Sequence, residues 1–194
     1  MKLIFATLNE NKAIELQKLM GNHIKVESLK ELGFTEEIIE SAHTLEGNSM
    51  LKADAVFDHF KRACFADDTG LEVDALAGAP GVRTARYAGE NADSQANMSK
   101  LLGALADTDG EDRTARFRTV ICLIRGGLVE YIEGVCEGSI VRKQSGAEGF
   151  GYDPVFSPEG VTVTFAEMSA AAKNERSHRG KAIRSMVSEL LAKS

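Results

Sequence analysis

Cysteine is scarce in this chain of 194 residues: only Cys64, Cys122 and Cys136 occur, each in apolar surroundings. An odd count without CxxC spacing or a Cys/His cluster reads as three reduced, buried thiols and argues against a structural zinc site. No apolar run reaches the length of a membrane span, and the one inside MKLIFATLNENK is too short for a signal peptide. These absences predict a soluble, cytoplasmic protein without a membrane partner. A Walker A sequence is missing, which sets aside a P-loop ATPase. No Ser-His-Asp or Cys-His constellation is evident, and His178 is the one histidine inside a motif, so a covalent mechanism is disfavoured. Positive charge is in deficit too. With 23 Lys and Arg against 29 Asp and Glu, the net charge is −6. That argues against a nucleic acid polymer as partner, yet local lysines and arginines can still build a pocket for a small anion.

What is present centres on Phe65 to Gly89, FADDTGLEVDALAGAPGVRTARYAG. Ala63-Cys64-Phe65-Ala66 reads as a buried strand, and Asp67 and Asp68 follow it directly. Two acids at the end of a buried strand are where an α/β protein would hold a hard divalent cation. Gly78, Pro80, Gly81 and Gly89 then punctuate a segment carrying Arg83 and Arg86, able to bend its backbone close to a ligand. Acids for a metal and arginines for phosphate suggest phosphate-ester chemistry.

The rest of the chain alternates strands and helices, as expected of a single domain or of two lobes sharing one core. Leu3 to Leu8 predicts a first strand, and Asn9 or Asn11 caps a helix carrying Ile14, Leu16, Leu19 and Met20, ended by Gly21. Thr7, Asn9, Asn11 and Lys12 therefore gather at a helix N-terminus, a plausible phosphate cradle. Ile24 to Leu29 reads as a second strand, residues 30 to 43 as an acidic irregular segment, and Thr44 to Phe60 as a helix bearing Lys52. Asp93 or Ser94 caps a helix with Met98, Leu101, Leu102 and Leu105 at helical spacing. Arg116 to Ile124 and Leu128 to Val135 flank Gly126-Gly127, a hairpin signal that makes the sheet mixed. In Gly149-Phe150-Gly151-Tyr152-Asp153-Pro154 an aromatic sits between glycines, either presented for stacking on a base or tucked into the core. Lys173 to Lys181 forms a basic run before an amphipathic final helix, with Ser177 as its candidate cap and His178 and Arg179 at its start.

Five motifs, Thr7 to Lys12, Asn48 with Lys52-Ala53, Phe65 to Gly89, Gly149 to Phe156, and Ser177 to Gly180, together resemble the inosine triphosphate pyrophosphatase family. They occur in the family's order over nearly the whole chain. The resemblance implies one domain over residues 1–194, an elongated mixed α/β sheet flanked by helices, whose two lobes enclose a central nucleotide cleft. It implies a homodimer and Mg²⁺-dependent hydrolysis of ITP, dITP and XTP to the monophosphate and pyrophosphate, cleansing the nucleotide pool.

Carried over by position, the resemblance gives Thr7, Asn9 and Lys12 to the triphosphate and Lys52 to the phosphates from its helix. Asp68 would ligate Mg²⁺ and act on the attacking water as general base, and Glu40 would be the second metal ligand. Thr69 would contact substrate. Phe150, Gly151, Tyr152 and Asp153 would form one wall of the base pocket, Phe150 stacking on the purine, and Lys173, His178 and Arg179 the other. The loop after Glu40 departs from the family pattern: Gly47 stands where many relatives carry Glu, and Ala42 where Gly is common. Two alternatives remain beside this reading: a relative acting on other nucleotides, and a nucleotide sensor that does not hydrolyse.

Overall fold

The computed structural model describes residues 1–8, 10–21, 24–36 and 38–192, without the side chains of Glu10, Asn11 and Glu15. The chain divides into two compact units, Met1–Asp68 with Thr119–Gly134 and Gly180–Ser194, and Thr69–Arg118 with Val135–Arg179.

In the first unit, β1 (Lys2–Phe5) pairs in parallel with β2 (Lys25–Ser28) on one side and with β3 (Cys64–Val73) on the other. The strand order continues through β5 (Thr114–Arg125) to β6 (Leu128–Ile140). Side chains alternate across a strand, so each face collects every second residue. Leu3, Phe5, Phe65, Ile121 and Leu123 face one way, packed with Leu16 and Met20 of α1 (Glu10–Met20) and with Ile183 and Met186 of α5 (His178–Ala192). Phe5 and Phe65 stack there with centroids 4.7 Å apart. Ile4, Ala6, Cys64, Ala66, Cys122 and Ile124 face the other way, against Ala53 and Val56 of α2 (Leu45–Phe60). The result is a sheet with helices on both faces, as βα alternation requires.

Gly21 and the Gly126-Gly127 pair act where they were expected, and Thr44 stands just outside its helix as the cap. Gly21 takes φ 65° just past α1, and Gln17 ties the turn by donating to the carbonyls of Gly21 and Ile24 while accepting from Val26 N–H. Thr44 caps α2 through Gly47 N–H. Gly126 and Gly127, both at positive φ, turn β5 into β6.

In the second unit, β3 pairs antiparallel with β4 (Pro80–Gly81), and β6 pairs antiparallel with β7 (Phe156–Pro158). With the parallel pairs above, the sheet is mixed. Its core joins Leu71 and Val73 to Met98, Leu101 and Leu105 of α3 (Ser94–Ala104), with Phe117, Phe156 and Phe165. Asp93 caps α3 by accepting from the N–H groups of Gln95 and Ala96.

Two expectations change. Asp67 and Asp68 do not follow a strand; β3 runs through them to Val73, held on by pairing of Leu71 with Gly81. The basic run is largely helical: α4 (Ala170–Arg176), capped by Ser169, carries Lys173, and extended Ser177 breaks it from α5. The three cysteines are buried and form no disulfide among the described residues. Burial pushes the Cys64 thiol up to about 12 and that of Cys122 to about 11, which keeps both protonated and unreactive. Among the described residues, no helix is long and apolar enough to cross a membrane.

Candidate functional site

In the first unit, the strand alternation that builds the core also separates the two adjacent acids. Asp67 continues the Phe65 face and lies 3.8 Å from Lys12 of α1. Asp68 continues the Ala66 face and meets α2, where Asn48 and Lys52, one turn apart, both reach it. Asn48 Nδ2 donates to Asp68 Oδ2 at 3.1 Å, and Lys52 Nζ lies 3.5 Å from Asp68 Oδ1. Lys52 Nζ also donates to Glu40 Oε1 at 2.5 Å, so one ammonium joins the irregular loop to the central strand.

These groups are mostly enclosed. Asp67 is 4% exposed, and the side chains of Lys52 and Asp68 keep only 12% and 13% of their surface. Burial raises the Asp68 pKa above the usual carboxylate value, Lys52 opposes the rise, and Glu40 and Asp67 add to it. For Lys52, burial lowers the pKa, but the combined pull of Asp68, Asp67 and Glu40 overcomes it and the net shift is upward. Lys52 is therefore firmly charged. A cavity of about 180 Å³ opens among Thr7, Lys12, Glu36, Glu40, Lys52 and Asp67. It is smaller than the ~300–1,000 Å³ of pockets that enclose a drug-sized molecule, and its size suits a phosphate group rather than a whole nucleotide.

Among the described residues, no three His, Cys, Asp or Glu side chains gather closely enough to hold a metal unaided. Glu40 and Asp68 nevertheless offer hard carboxylate oxygens, and both already attract one cation, the Lys52 ammonium. Two carboxylates, with water and phosphate oxygens completing the shell, is the donor set magnesium favours.

The second unit builds a different site on the loop that precedes β7. Phe150 is 57% exposed, so its ring is presented rather than tucked into the core. Lys173 Nζ lies 4.8 Å and Arg179 Cζ 5.7 Å from the ring centroid. Asp153, almost fully buried, holds this arrangement: its Oδ2 accepts from Phe150 N–H at 2.8 Å and from Lys173 Nζ at 2.5 Å. Gly149 (φ 81°) makes room for that carboxylate, since a Cβ there would stand 2.0 Å from Asp153 Oδ2. Tyr152 is buried, and its hydroxyl donates to the Thr84 carbonyl, anchoring the loop; burial pushes its phenol pKa up. His178 stacks on Phe117 with centroids 4.6 Å apart.

The sequence-derived candidates thus fall into two groups. Thr7, Lys12, Glu40, Lys52 and Asp68 belong to the first unit; Phe150, Gly151, Tyr152, Asp153, Lys173, His178 and Arg179 belong to the second, where Thr69 lies half-buried on β3. Asn9 lies outside the described residues, and so does the side chain of Asn11. Arg83 and Arg86 pair with Glu90 in the second unit. Sequence reading gave no role to Asn48 or Glu36; the alternation of a continuous strand was the signal that could have told Asp67 from Asp68.

The model of the Ham1 family matches residues 3–189. The dITP/XTP pyrophosphatase of Christiangramia forsetii is 49% identical over 190 residues, covering 98% of this chain and 99% of its own. That of Bacillus subtilis is 44% identical over 185 residues, covering 94% of this chain and 93% of its own. Among solved structures, the Ham1 protein of Staphylococcus aureus superposes with a TM-score of 0.91 at 34% identity, each chain covered in full.

Proposed function

The chain belongs to the Ham1 family, and from that premise we propose that it hydrolyses dITP, XTP and ITP to the nucleoside monophosphate and pyrophosphate, with Mg²⁺. The observation that carries this reading is the first-unit cavity, where Lys12 and Lys52 stand with Glu40 and Asp67, beside Asp68. Cutting a phosphoanhydride calls for positioning and charge neutralisation more than for covalent help. Lys12 and Lys52 provide fixed positive charge for the phosphates, with Thr7 as a hydroxyl donor at the cavity wall. Glu40 and Asp68 would hold the magnesium ion, which when bound supplies further positive charge to the phosphate oxygens. Asp68 accepts the proton of the attacking water. Burial makes its carboxylate more basic than an exposed aspartate, which suits that role.

The second unit takes the base in this reading. Phe150 offers a flat, exposed face for stacking, and Lys173 and Arg179 offer hydrogen-bond donors beside it. Donors favour O6 of hypoxanthine or xanthine, an acceptor, over N6 of adenine, itself a donor; a site built this way can reject the wrong group by ~10⁴-fold. Discrimination against guanine falls to crowding at its 2-amino group. In this reading residues 1–194 are one domain, and the protein works as a cytoplasmic homodimer that cleanses the nucleotide pool. Phosphorus NMR of the dITP reaction tests the bond that is cut: pyrophosphate with dIMP supports the proposal, and orthophosphate with dIDP contradicts it.

A further inference from the structure

Asn48 occupies an unusual position for a helix residue near its N-terminus. It is 3% exposed, and both ends of its amide are used. Its Oδ1 accepts the N–H of Ala42 at 2.9 Å, and its Nδ2 donates to Asp68 Oδ2 at 3.1 Å. Only an amide of this length can do both: a carboxylate would oppose Asp68, and an aliphatic side chain would release both partners. The amide orientation follows from the same pairing, since the reverse would set N–H against N–H and oxygen against oxygen.

The position of Ala42 gives this bridge its meaning. Ala42 lies two residues after Glu40, so the Asn48 amide fixes the end of the loop that carries Glu40. The two oxygens of Asp68 are thereby divided between Asn48 and Lys52, and Lys52 also holds Glu40. Loop and strand are linked twice through one face of α2. The close approach depends on a missing side chain. A Cβ at Gly47 would meet the Ala42 Cβ at 2.6 Å and Thr44 Oγ1 at 3.1 Å, pushing the loop away from the helix.

We infer that Asn48 is a positioning residue: through the Ala42–Asn48–Asp68 bridge, made possible by the bare Cα of Gly47, it sets the Glu40 and Asp68 carboxylates in register for a divalent cation. This rests on the metal role given to those two residues above. Groups that orient a metal's ligands commonly change affinity or activity by about 10–100-fold when removed.

The test titrates the intact chain with Mn²⁺ alone by calorimetry, and separately measures kcat, KM for dITP and the melting temperature. Asn48→Ala and Asn48→Asp should weaken Mn²⁺ binding and lower kcat, each by about 10–100-fold, with KM changed far less. Gly47→Ala should do the same although alanine is the better helix former, and Ala42→Gly added to it should restore both. That rescue separates loop position from general stability, and it keeps the test decisive if the Asn48 variants fail to fold. Wild-type Mn²⁺ affinity and kcat in Asn48→Ala, or a double variant no better than Gly47→Ala, would overturn the inference. So would a wild-type chain that binds no Mn²⁺. Mn²⁺ binding that depends on Asn48 without any pyrophosphate release would instead sink the proposed reaction and leave Asn48 in its role.

Discussion

Asp67 and Asp68 are neighbours in the chain but serve opposite faces of one strand: Asp67 meets Lys12 of α1 at 3.8 Å, and Asp68 meets Lys52 of α2 at 3.5 Å. The two acids therefore cannot be interchangeable, and each carries its own lysine. Their separation follows from the two-residue repeat of β3, which continues through both.

Asp68→Asn should remove the base and one metal ligand, lowering kcat by about 10²–10⁴-fold. It should also stabilise the protein when no metal is added. Burial raises the Asp68 pKa in the fold, so the folded state binds the proton more tightly than the unfolded chain, and stability falls as pH rises between the two pKa values. The melting temperature of Asp68→Asn should thus match wild type at low pH and exceed it once the carboxylate ionises. A variant that is less stable above that range would contradict the account, as would one with wild-type turnover.

Lys12→Ala should lower kcat/KM for dITP by about 10–100-fold, the loss expected for one charge-assisted contact of ~1.5–3 kcal/mol. Steady-state kinetics decide it. An unchanged kcat/KM would reduce Lys12 to a helix residue paired with Asp67.

Phe150→Ala should weaken nucleotide binding by about 1–3 kcal/mol through lost stacking. Because the ring is largely exposed, the melting temperature should hardly move. A large drop in stability with unaltered KM would mean that the ring supports the fold instead.

Gly149→Ala should damage base selection while sparing the phosphate chemistry. The new Cβ would displace the Asp153 carboxylate from Phe150 N–H and Lys173 Nζ, and φ 81° is itself strained for alanine. Discrimination between dITP and dATP should shrink by at least tenfold, an order-of-magnitude figure for a lost polar contact. Unaltered discrimination would remove Asp153 from the base site.

Much of this was legible in the sequence, for identifiable reasons. The continuous apolar run before Thr7 is buried on both faces of β1, the helical spacing from Leu45 to Phe60 buries one face of α2, and Gly126-Gly127 supplies the turn; each leaves a pattern in composition. β3 beyond Ala66 left no such pattern. Its polar residues Asp67, Asp68 and Thr69 are strand because β3 is hydrogen-bonded to β5 in the sheet and to β4 further along, a tertiary cause that local propensity does not carry. α4 was hidden for a related reason: Lys173 to Arg176 read as charge, while the signal for helix was Ser169 followed by three alanines. Glu40 could be placed by counting from Lys52, but its ion pair with that lysine spans an irregular loop. The Ala42–Asn48–Asp68 bridge joins a loop to the helix six residues on and to a strand twenty residues beyond that, and only coordinates bring the three together.

The most direct check of the central claim is pyrophosphate release from dITP, XTP, ITP, GTP, ATP and dTTP, each with Mg²⁺ and with EDTA. Metal-dependent pyrophosphate from dITP, XTP and ITP, with little from the other three, is the expected result. Equal turnover of GTP or ATP would contradict the base-site reading, and nucleotide binding without any turnover would make this chain a sensor and not a hydrolase.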